Sequence, residues 1–365
     1  MKPPVQMRPT AFLFKAGRKA RLSPDAPSEF LYGYAGLRET GCFAEMFEEE
    51  ELGIMPTWPW FAEAAAGRLS TMTGPHARVL SQLDRAIRGP LSPFEVLICT
   101  TNTLGIAASA LRQWGRHDKQ VVTMTMGLIE PQSMRWKQWL ISRLFAGTTL
   151  AVLSRAESGW LRTRLDPGVN IIDFSFGVDL SFWSPGKEAP RDSVISVGND
   201  WNRDFDTLVE AWREDFPPLT IITSLPVKTG KSNVTVERGD WRSRVISDVD
   251  LRERVRQARL VVVPLRDTIQ PSGQSAALQA MACARPVVLS ANRGLWDRAQ
   301  IERHGACELV PPGDAAALSA AVAGLLASPD RAEAMGRRAR RMLEIEDVTS
   351  TAMTRQIVAI SSRAA

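Results

Sequence analysis

The sequence predicts an α/β protein with two doubly wound parallel sheets, one in each half of the chain. Short runs rich in β-branched residues alternate with longer segments of helical periodicity along most of the 365 residues. Most of these runs are apolar throughout, which is typical of strands covered by helices on both faces. A stretch rich in Pro, Ser and charged residues at 179–191 interrupts the alternation and indicates a linker. The length therefore fits two domains of about 180 residues each.

Each half supplies its own strands and helices. The predicted strands are 10–14, 95–100, 120–126, 149–153, 170–174, 194–197, 219–223, 234–236, 260–264 and 286–290. The predicted helices are 105–114, 135–145, 155–164, 205–214, 275–283, 315–327 and 349–360. The alternation implies parallel strands joined by right-handed crossovers. Because ligands of such sheets bind beyond the carboxyl ends of the strands, functional residues are expected in the loops that follow them.

Composition excludes several classes of protein. Hydrophobic residues make up 44% and charged residues 23%, as in a packed globular chain, which rules out disorder of the whole chain. The sequence contains no uninterrupted apolar run of about 18 residues, so no membrane-spanning helix is expected. Since no export signal is evident either, we expect a cytoplasmic location. The four Cys and three His lack the spacing of a disulfide framework or a metal cage, so no metal site is expected. The net charge of +5 favours an anionic partner, such as a phosphate or an acidic membrane, and is too small to indicate nucleic acid.

Two segments of the second half combine turn glycines with polar side chains. In 193–212, SVISVGNDWNRDFDTLVEAW, a strand ends at Val197, Gly198 permits a tight turn, and a helix follows Arg203. The amides at that helix start, together with Arg203, form a candidate anion site, although an ordinary exposed Arg is the alternative.

The second of these segments is 260–290, LVVVPLRDTIQPSGQSAALQAMACARPVVLS. Gly273 lets the amides of Gln274 and Ser275 approach a ligand closely, because Gly has no side chain. Gln279 lies one helical turn beyond Ser275 and can present an amide to hydroxyl groups. The alternative is a capped helix with a buried Gln.

These segments resemble the C-terminal half of glycosyltransferase group 1, the family 4-like retaining glycosyltransferases of GT-B fold. VGN…R-DFDTLVEA at 197–211 is similar to the family's VGR, basic residue and DTLIEA, and LQAMACARPVV at 278–288 to its AMACGKPVV. LSRAESGWLR, FGVDLSFWSP and LVPPGDAAALSAAVAGLL match further stretches in order and spacing. The resemblance implies two facing Rossmann-like domains. Its predicted boundaries are 1–182 for acceptor binding, 183–345 for nucleotide-sugar binding, and 346–365 for a last helix that packs back on the first domain.

The chain departs from the family at acidic and basic positions of the donor site. The family's first signature Glu, which contacts sugar hydroxyls, falls on Pro271, and its second, which contacts the donor ribose, falls on Gln279. The usual phosphate-contacting Arg falls on Asn199, with the partner basic residue at Arg203. The resemblance implies these donor-binding residues: Asn199, Arg203, Ser272, Gly273, Gln274, Ser275 and Gln279. We expect Glu at position 279 to retain donor binding if the pocket still suits the family's acid.

The first half offers weaker candidates for an acceptor or sugar site. Gly17 and the basic Arg18 follow the first strand, although an exposed charged loop is an equal alternative. Asn102 and Thr103 follow the next predicted strand, and Gly127 the one after that.

Eleven Trp and clustered Arg point to a membrane surface. MRWKQWLISRLF at 134–145 mixes Trp with basic residues, and TWPWF at 57–61 adds more Trp. A basic amphipathic helix with Trp suits the membrane interface, but a helix that covers a sheet also needs apolar bulk. The five Arg of 331–341 predict a solvated basic helix face, with packing or membrane contact as alternatives.

The function implied by the resemblance is transfer of a sugar, with retention, from a UDP- or GDP-sugar to a glycan or lipid-linked acceptor. Such an enzyme of polysaccharide biosynthesis would work in the cytoplasm, at the inner face of the cell membrane. The nucleotide-sugar is a substrate rather than a cofactor. Because no DxD motif occupies a strand end, we expect that no divalent metal is needed. The alternatives are an inactive nucleotide-sugar-binding protein, supported by Pro271 and Asn199, and a sugar-nucleotide epimerase on the same fold.

Overall fold

The computed structural model describes residues 7–39, 41–54, 60–73, 75–187, 192–239 and 246–362. The chain forms two compact units. The first contains Met1–Leu22, Phe30–Phe174 and Met353–Ala365, and the second contains Ser23–Glu29 and Ser175–Ala352. Two of these segments, Ser23–Glu29 and Met353–Ala365, join a unit that is distant from them in sequence, and the family resemblance implied this only for the C-terminal segment. The main division falls at 174/175, a few residues before the predicted 182/183, and part of the predicted linker, 188–191, lies outside the described residues.

The first unit is built on a six-stranded parallel sheet of order β2-β1-β3-β4-β5-β6. Its strands are β1 (Thr10–Phe14), β2 (Ala44–Glu48), β3 (Val96–Cys99), β4 (Gln120–Thr125), β5 (Thr149–Val152) and β6 (Asn170–Asp173). Its helices are α1 (Tyr34–Glu39), α2 (Trp60–Thr73), α3 (Ala77–Arg88), α4 (Asn102–Gln113), α5 (Arg135–Phe145) and α6 (Arg155–Arg162). The chain passes from β1 to β2 on one side and then crosses back to β3 on the other side of β1. The topological switch point therefore lies between β1 and β3.

The second unit repeats this architecture with the strand order β12-β11-β10-β7-β8-β9, again all parallel. Its strands are β7 (Val194–Val197), β8 (Leu219–Thr223), β9 (Val234–Arg238), β10 (Leu260–Val263), β11 (Val287–Ser290) and β12 (Glu308–Val310). Its helices are α7 (Phe205–Ala211), α8 (Asp248–Gln257), α9 (Gln274–Ala282), α10 (Arg298–His304), α11 (Ala315–Leu326) and α12 (Pro329–Ile345), followed by α13 (Ser350–Ser361). The switch point lies between β7 and β10.

Every predicted strand is present, and the central strands are apolar on both faces, whereas the edge strands β6 and β9 are partly exposed. All four residues of β7 and of β10 are buried. Residues of α7 and α11 form one core cluster with this sheet, and α9 also contacts β10 and β11. The sequence analysis did not predict β2 and β12. Only Met46 of β2 is buried, and β12 has three residues, so neither carries the continuous apolar run that identifies a central strand.

The basic stretch at 331–341 is only partly a solvated face, so that prediction is corrected for Arg340. The Nη1 atom of Arg340 donates to three backbone oxygens, those of Leu180, Trp183 and Ala282. A mostly buried guanidinium that binds several carbonyls packs α12 against the end of α9. Arg331, in contrast, pairs at the surface with Glu308.

The last helix carries residues of both units. Thr354 donates to the backbone oxygen of Gly33 at 3.0 Å, and a Cβ on Gly33 would lie 2.8 Å from the carbonyl carbon of Met353. Gly33 has a φ of +88°, which favours glycine. This close approach seats the end of α13 on the first unit.

Candidate functional site

The switch point of the second sheet brings together the two segments that the sequence analysis selected. Gly198 follows β7 and Pro264 follows β10, and the loops from both strands are bridged by backbone pairing of Arg203 with Leu265. The amide of Asp204 donates to the oxygen of Pro264 at 3.1 Å. In open parallel sheets this crevice beyond the strand ends is where ligands bind.

Arg203 is held inside this crevice with part of its guanidinium unused. Its side chain is 3% exposed, and Nε donates to Asp200 Oδ2 at 2.8 Å. The guanidinium covers Gly198, because a Cβ there would lie 2.2 Å from Arg203 Nε. Among the described residues, Nη1 is buried without a hydrogen-bond partner. A buried donor of this kind is costly to leave unpaired and suits an anionic oxygen of a ligand.

The start of α9 lies next to this arginine. Gly273 forms the N-cap with a φ of +70°, and a Cβ on it would lie 2.9 Å from the side chain of Leu265. Ser272 is buried and donates to Oδ1 of Asp200, whose other oxygen binds Arg203. Asp200 thus ties Ser272 to Arg203. The amides at the helix start carry partial positive charge close to the guanidinium.

The other predicted donor-binding side chains take different positions. Gln274 is buried and donates to the oxygen of Gly294 at 3.0 Å, while Ser275 is partly exposed. Asn199 donates to the oxygen of Gly239 at 2.6 Å and accepts from the amide of Ser224 at 2.6 Å. The Asn199 side chain therefore joins the loops that follow β8 and β9, and its predicted contact with a donor stays a prediction.

Gln279 binds an acidic residue that the sequence analysis missed. Its Nε2 donates to Glu29 Oε1 at 3.1 Å, and Trp183 Nε1 donates to the same oxygen at 2.8 Å. Glu29 is fully buried in the second unit, and burial raises the pKa of its carboxyl to about 7, although the hydrogen bonds from Gln279 and Trp183 oppose that rise. No local pattern marks Glu29, because its partner Gln279 lies 250 positions away.

The raised pKa of Glu29 predicts how stability depends on pH. The folded chain holds the proton more tightly than the unfolded chain, whose Glu titrates near 4.5, so stability is lost as the pH rises from about 4.5 to about 7. At 1.36 kcal/mol for each pH unit, the loss is about 3 kcal/mol. Glu29→Gln should remove it, so the melting temperature of the variant minus that of the wild type should increase between pH 5 and pH 8. A difference that does not change with pH would contradict this prediction.

The weaker candidates lie along the carboxyl edge of the first sheet. Asn102 Nδ2 donates to the oxygen of Met126 at 3.0 Å and to that of Gly127 at 3.4 Å, so the structure brings Asn102 and Gly127 together. Thr103 is exposed in the first turn of α4. The remaining two residues follow β1 on a separate turn: Gly17 is exposed, and the Arg18 guanidinium lies over a ring of the same unit.

Glu157 is a second buried acid that the sequence analysis did not select, although it lies in the quoted LSRAESGWLR stretch. It is 1% exposed, its Oε1 accepts from the amide of Leu128 at 3.0 Å, and its Oε2 has no partner among the described residues. Burial raises the pKa of this carboxyl to about 6. Asn102 and Glu157 therefore both bind the Gly127–Leu128 turn.

Comparisons with known proteins agree with this architecture. Residues 191–328, which contain the switch-point crevice, match the family described as Glycosyl transferases group 1. No curated protein sequence matches the chain. The structure is similar to that of sucrose-phosphate synthase from Thermosynechococcus elongatus, with a TM-score of 0.71 and 18% identity over 97% of this chain and 98% of that chain.

Two further solved structures are similar over nearly their whole length. One is HepE of Anabaena in complex with UDP and glucose, with a TM-score of 0.68 and 12% identity over 97% of this chain and 99% of that chain. The other is α,α-trehalose 6-phosphate synthase from Burkholderia multivorans, with a TM-score of 0.69 and 13% identity over 98% and 100%. The predicted GT-B fold is thereby confirmed. The family match confirms the resemblance to glycosyltransferase group 1 over residues 191–328.

Proposed function

We propose that this protein is a glycosyltransferase that moves a sugar from a nucleotide-diphospho-sugar to an acceptor hydroxyl with retention of configuration. The buried, unpartnered Nη1 of Arg203 at the switch point supports this proposal most directly. The site has the donors that a diphosphate requires, and the group 1 match covers all of it. The donor is a UDP- or GDP-sugar, and the acceptor is a glycan or a lipid-linked sugar.

The proposed reaction places the diphosphate between Arg203 and the amides of Gly273, Gln274 and Ser275. As the bond from C1 of the sugar to the diphosphate oxygen breaks, negative charge develops on that oxygen, and fixed positive groups stabilise it. The acceptor oxygen bonds to C1, and its proton passes to the departing phosphate, so no side-chain base is needed. Because Arg203 and the helix start supply positive charge, the proposal requires no divalent metal. Asp200 holds Arg203 in place through Nε.

The acceptor is proposed to bind along the carboxyl edge of the first sheet. The candidate residues for this contact follow β1, β3 and β4 at that edge: Gly17, Arg18, Asn102, Thr103 and Gly127. The Oδ1 atom of Asn102 is buried without a partner among the described residues, so it is suited to accept from a hydroxyl.

A screen of UDP-, GDP- and ADP-sugars tests the function. A bound donor should raise the melting temperature. A ligand present at 100 times its dissociation constant stabilises the folded protein by about 2.7 kcal/mol. Products formed with glycan and lipid-linked acceptors are then scored by mass spectrometry. Stabilisation without transfer would support the inactive nucleotide-sugar-binding protein, and isomerised donor without acceptor would support the epimerase. No stabilisation by any donor would contradict all three.

A peripheral membrane contact is a second part of the proposal, supported by α5. Trp136 and Trp139 are 44% and 61% exposed, and the Arg143 guanidinium lies 5.7 Å from the Trp139 ring. Arg135 is exposed beside them, and the helix contains no acidic residue. Among the described residues, no helix combines the length and the apolar character needed to span a bilayer. A Trp-rich basic face is suited to the surface of anionic lipids at the inner face of the cell membrane. Of the two Trp predicted in 57–61, Trp58 and the side chain of Trp60 lie outside the described part of the chain.

Replacing this face should release the protein from anionic lipid. The variant carries Trp136→Ser, Trp139→Ser, Arg135→Gln and Lys137→Gln, and each basic residue near such a surface contributes about 1 kcal/mol. Flotation with phosphatidylglycerol-containing liposomes measures the loss. Trp114→Ser is the matched control, because Trp114 is 58% exposed in the same unit but lies outside α5. A wild-type protein that does not float with the liposomes would contradict the membrane contact.

A further inference from the structure

We infer that Glu29 is a positioning residue that fixes the orientation of the Gln279 amide, so that Gln279 presents only its oxygen to the donor nucleotide. The inference rests on the proposed function, because it takes the ligand of Gln279 to be the ribose of a nucleotide-sugar. It adds a residue that neither the family resemblance nor the sequence pattern assigns to the site.

The Glu29 carboxyl is held from several directions within the second unit. One oxygen, Oε1, receives both Gln279 Nε2 and Trp183 Nε1, and the other accepts from the amide of Asp179 at 3.3 Å. The Asp179 side chain in turn accepts from the amide and the hydroxyl of Ser28, at 3.1 and 2.7 Å. Residues 28 and 29 are therefore tied to the 179–183 segment, and the carboxyl cannot turn away from α9.

This arrangement leaves one functional atom on Gln279. Its Nε2 is committed to Glu29, whereas its Oε1 has no hydrogen-bond partner among the described residues. Although the residue is only 7% exposed, Oε1 is not among the fully buried unpartnered atoms, so it keeps some accessible surface. An amide oxygen accepts but cannot donate. Gln279 is thus suited to hydroxyl hydrogens, such as those of a ribose diol, and not to phosphate oxygens.

The same contact makes positions 29 and 279 interdependent. A Glu at 279 would place a second carboxyl about where Nε2 now meets Glu29 Oε1, at 3.1 Å. Two buried carboxylates at such a distance cannot both ionise, so one must hold a proton or move away. Glu29 therefore reverses the expectation that Glu at 279 retains donor binding. The pair can hold an ionised acid at position 29 or at position 279, but not at both. In this chain the acid is Glu29.

A four-variant comparison on the full chain tests the inference. The proteins are wild type, Glu29→Gln, Gln279→Glu and the double variant. The probes are UDP and GDP with their 2′-deoxy analogues, measured by calorimetry at pH 8, and melting temperatures are recorded in parallel. We expect Gln279→Glu to lower the melting temperature and to weaken nucleotide binding at least tenfold. The double variant, which exchanges the two side chains, should regain both to within about threefold of wild type in affinity.

The preference for the ribose over the 2′-deoxyribose reports the amide orientation. One hydroxyl bond to Gln279 should be worth roughly a fivefold to tenfold preference in the wild type. Glu29→Gln should reduce that preference, because a Gln at 29 no longer forces Nε2 towards it. Trp212→Phe is the control for a merely structural role. Trp212 is buried in the same unit and its Nε1 donates to the oxygen of Pro217 at 3.1 Å rather than to Glu29, so the variant should lower the melting temperature and leave the preference unchanged.

The outcomes separate the inference from the proposed function. A wild type that binds neither UDP nor GDP would reject the proposed function and the ligand-facing role of Gln279 with it. A wild type that binds nucleotide with the same ribose preference in all variants would reject only the positioning role of Glu29. A double variant that is no better than Gln279→Glu would likewise reject the pairing.

Discussion

Arg203→Ala is expected to weaken binding of a nucleoside diphosphate by roughly tenfold to a hundredfold. A charge-assisted hydrogen bond between buried partners contributes about 1.5–3 kcal/mol, and the buried Nη1 of Arg203 is placed to make one. Calorimetric titration with UDP and GDP measures the change. Arg266→Ala is the matched control. Arg266 follows β10 at the same carboxyl edge of the sheet, but its side chain is 56% exposed. An unchanged dissociation constant for Arg203→Ala would remove this residue from the proposed donor site.

Gly198→Ala tests whether the position of Arg203 matters as well as its charge. An added Cβ would lie 2.2 Å from Nε and 2.4 Å from Cζ of Arg203, so the guanidinium must move. The variant keeps the positive charge, yet we expect a loss of nucleotide affinity in the same direction. If only Arg203→Ala weakens binding, charge alone is sufficient and the placement of the guanidinium is unimportant.

The local part of the candidate donor site could be located from the sequence because its residues directly follow strand ends. Arg203 and Gly273 are each separated from a buried strand by one loop, and parallel topology brings both loops to the same edge. The apolar runs of β7 and β10 locate those strands without knowledge of the rest of the chain. The structure accordingly places Arg203, Ser272 and Gly273 together at the switch point.

The part that could not be predicted depends on contacts between distant residues. Nothing near Glu29 in the sequence, SEFLYG, indicates that it is buried against Gln279. Asn199 lies where the family carries a phosphate-contacting Arg, but the loops after β8 and β9 bind its amide in this structure. A short polar side chain fits such a junction between strand ends, and its role follows from the partners that the fold supplies.

The end of α9 is held by α12. Gly336 lies inside α12, where a Cβ would be 2.1 Å from the backbone oxygen of Ala284. Ala284 follows α9 with a φ of +54°, so its backbone is already in a conformation that favours glycine. One turn along α12, Arg340 donates to the oxygen of Ala282 at 2.9 Å. The backbone of α12 must therefore approach closely for α9 to be fixed.

Gly336→Ala is expected to destabilise the second unit even though alanine favours helices. The helix interior should gain about 1 kcal/mol from the exchange, but overpacking against a backbone carbonyl costs about 1–3 kcal/mol or more, and the Ala284 turn cannot yield as a flexible side chain would. Gly324→Ala is the matched control, because in α11 the nearest atom, Arg331 Nη1, lies 3.7 Å from the added Cβ. Urea and thermal unfolding, followed by circular dichroism and tryptophan fluorescence, should therefore show stabilisation of up to about 1 kcal/mol for Gly324→Ala and a loss for Gly336→Ala. Changes of the same sign in both variants would show that α12 can move away from α9 at little cost, and that the approach at Gly336 does not hold α9 in place.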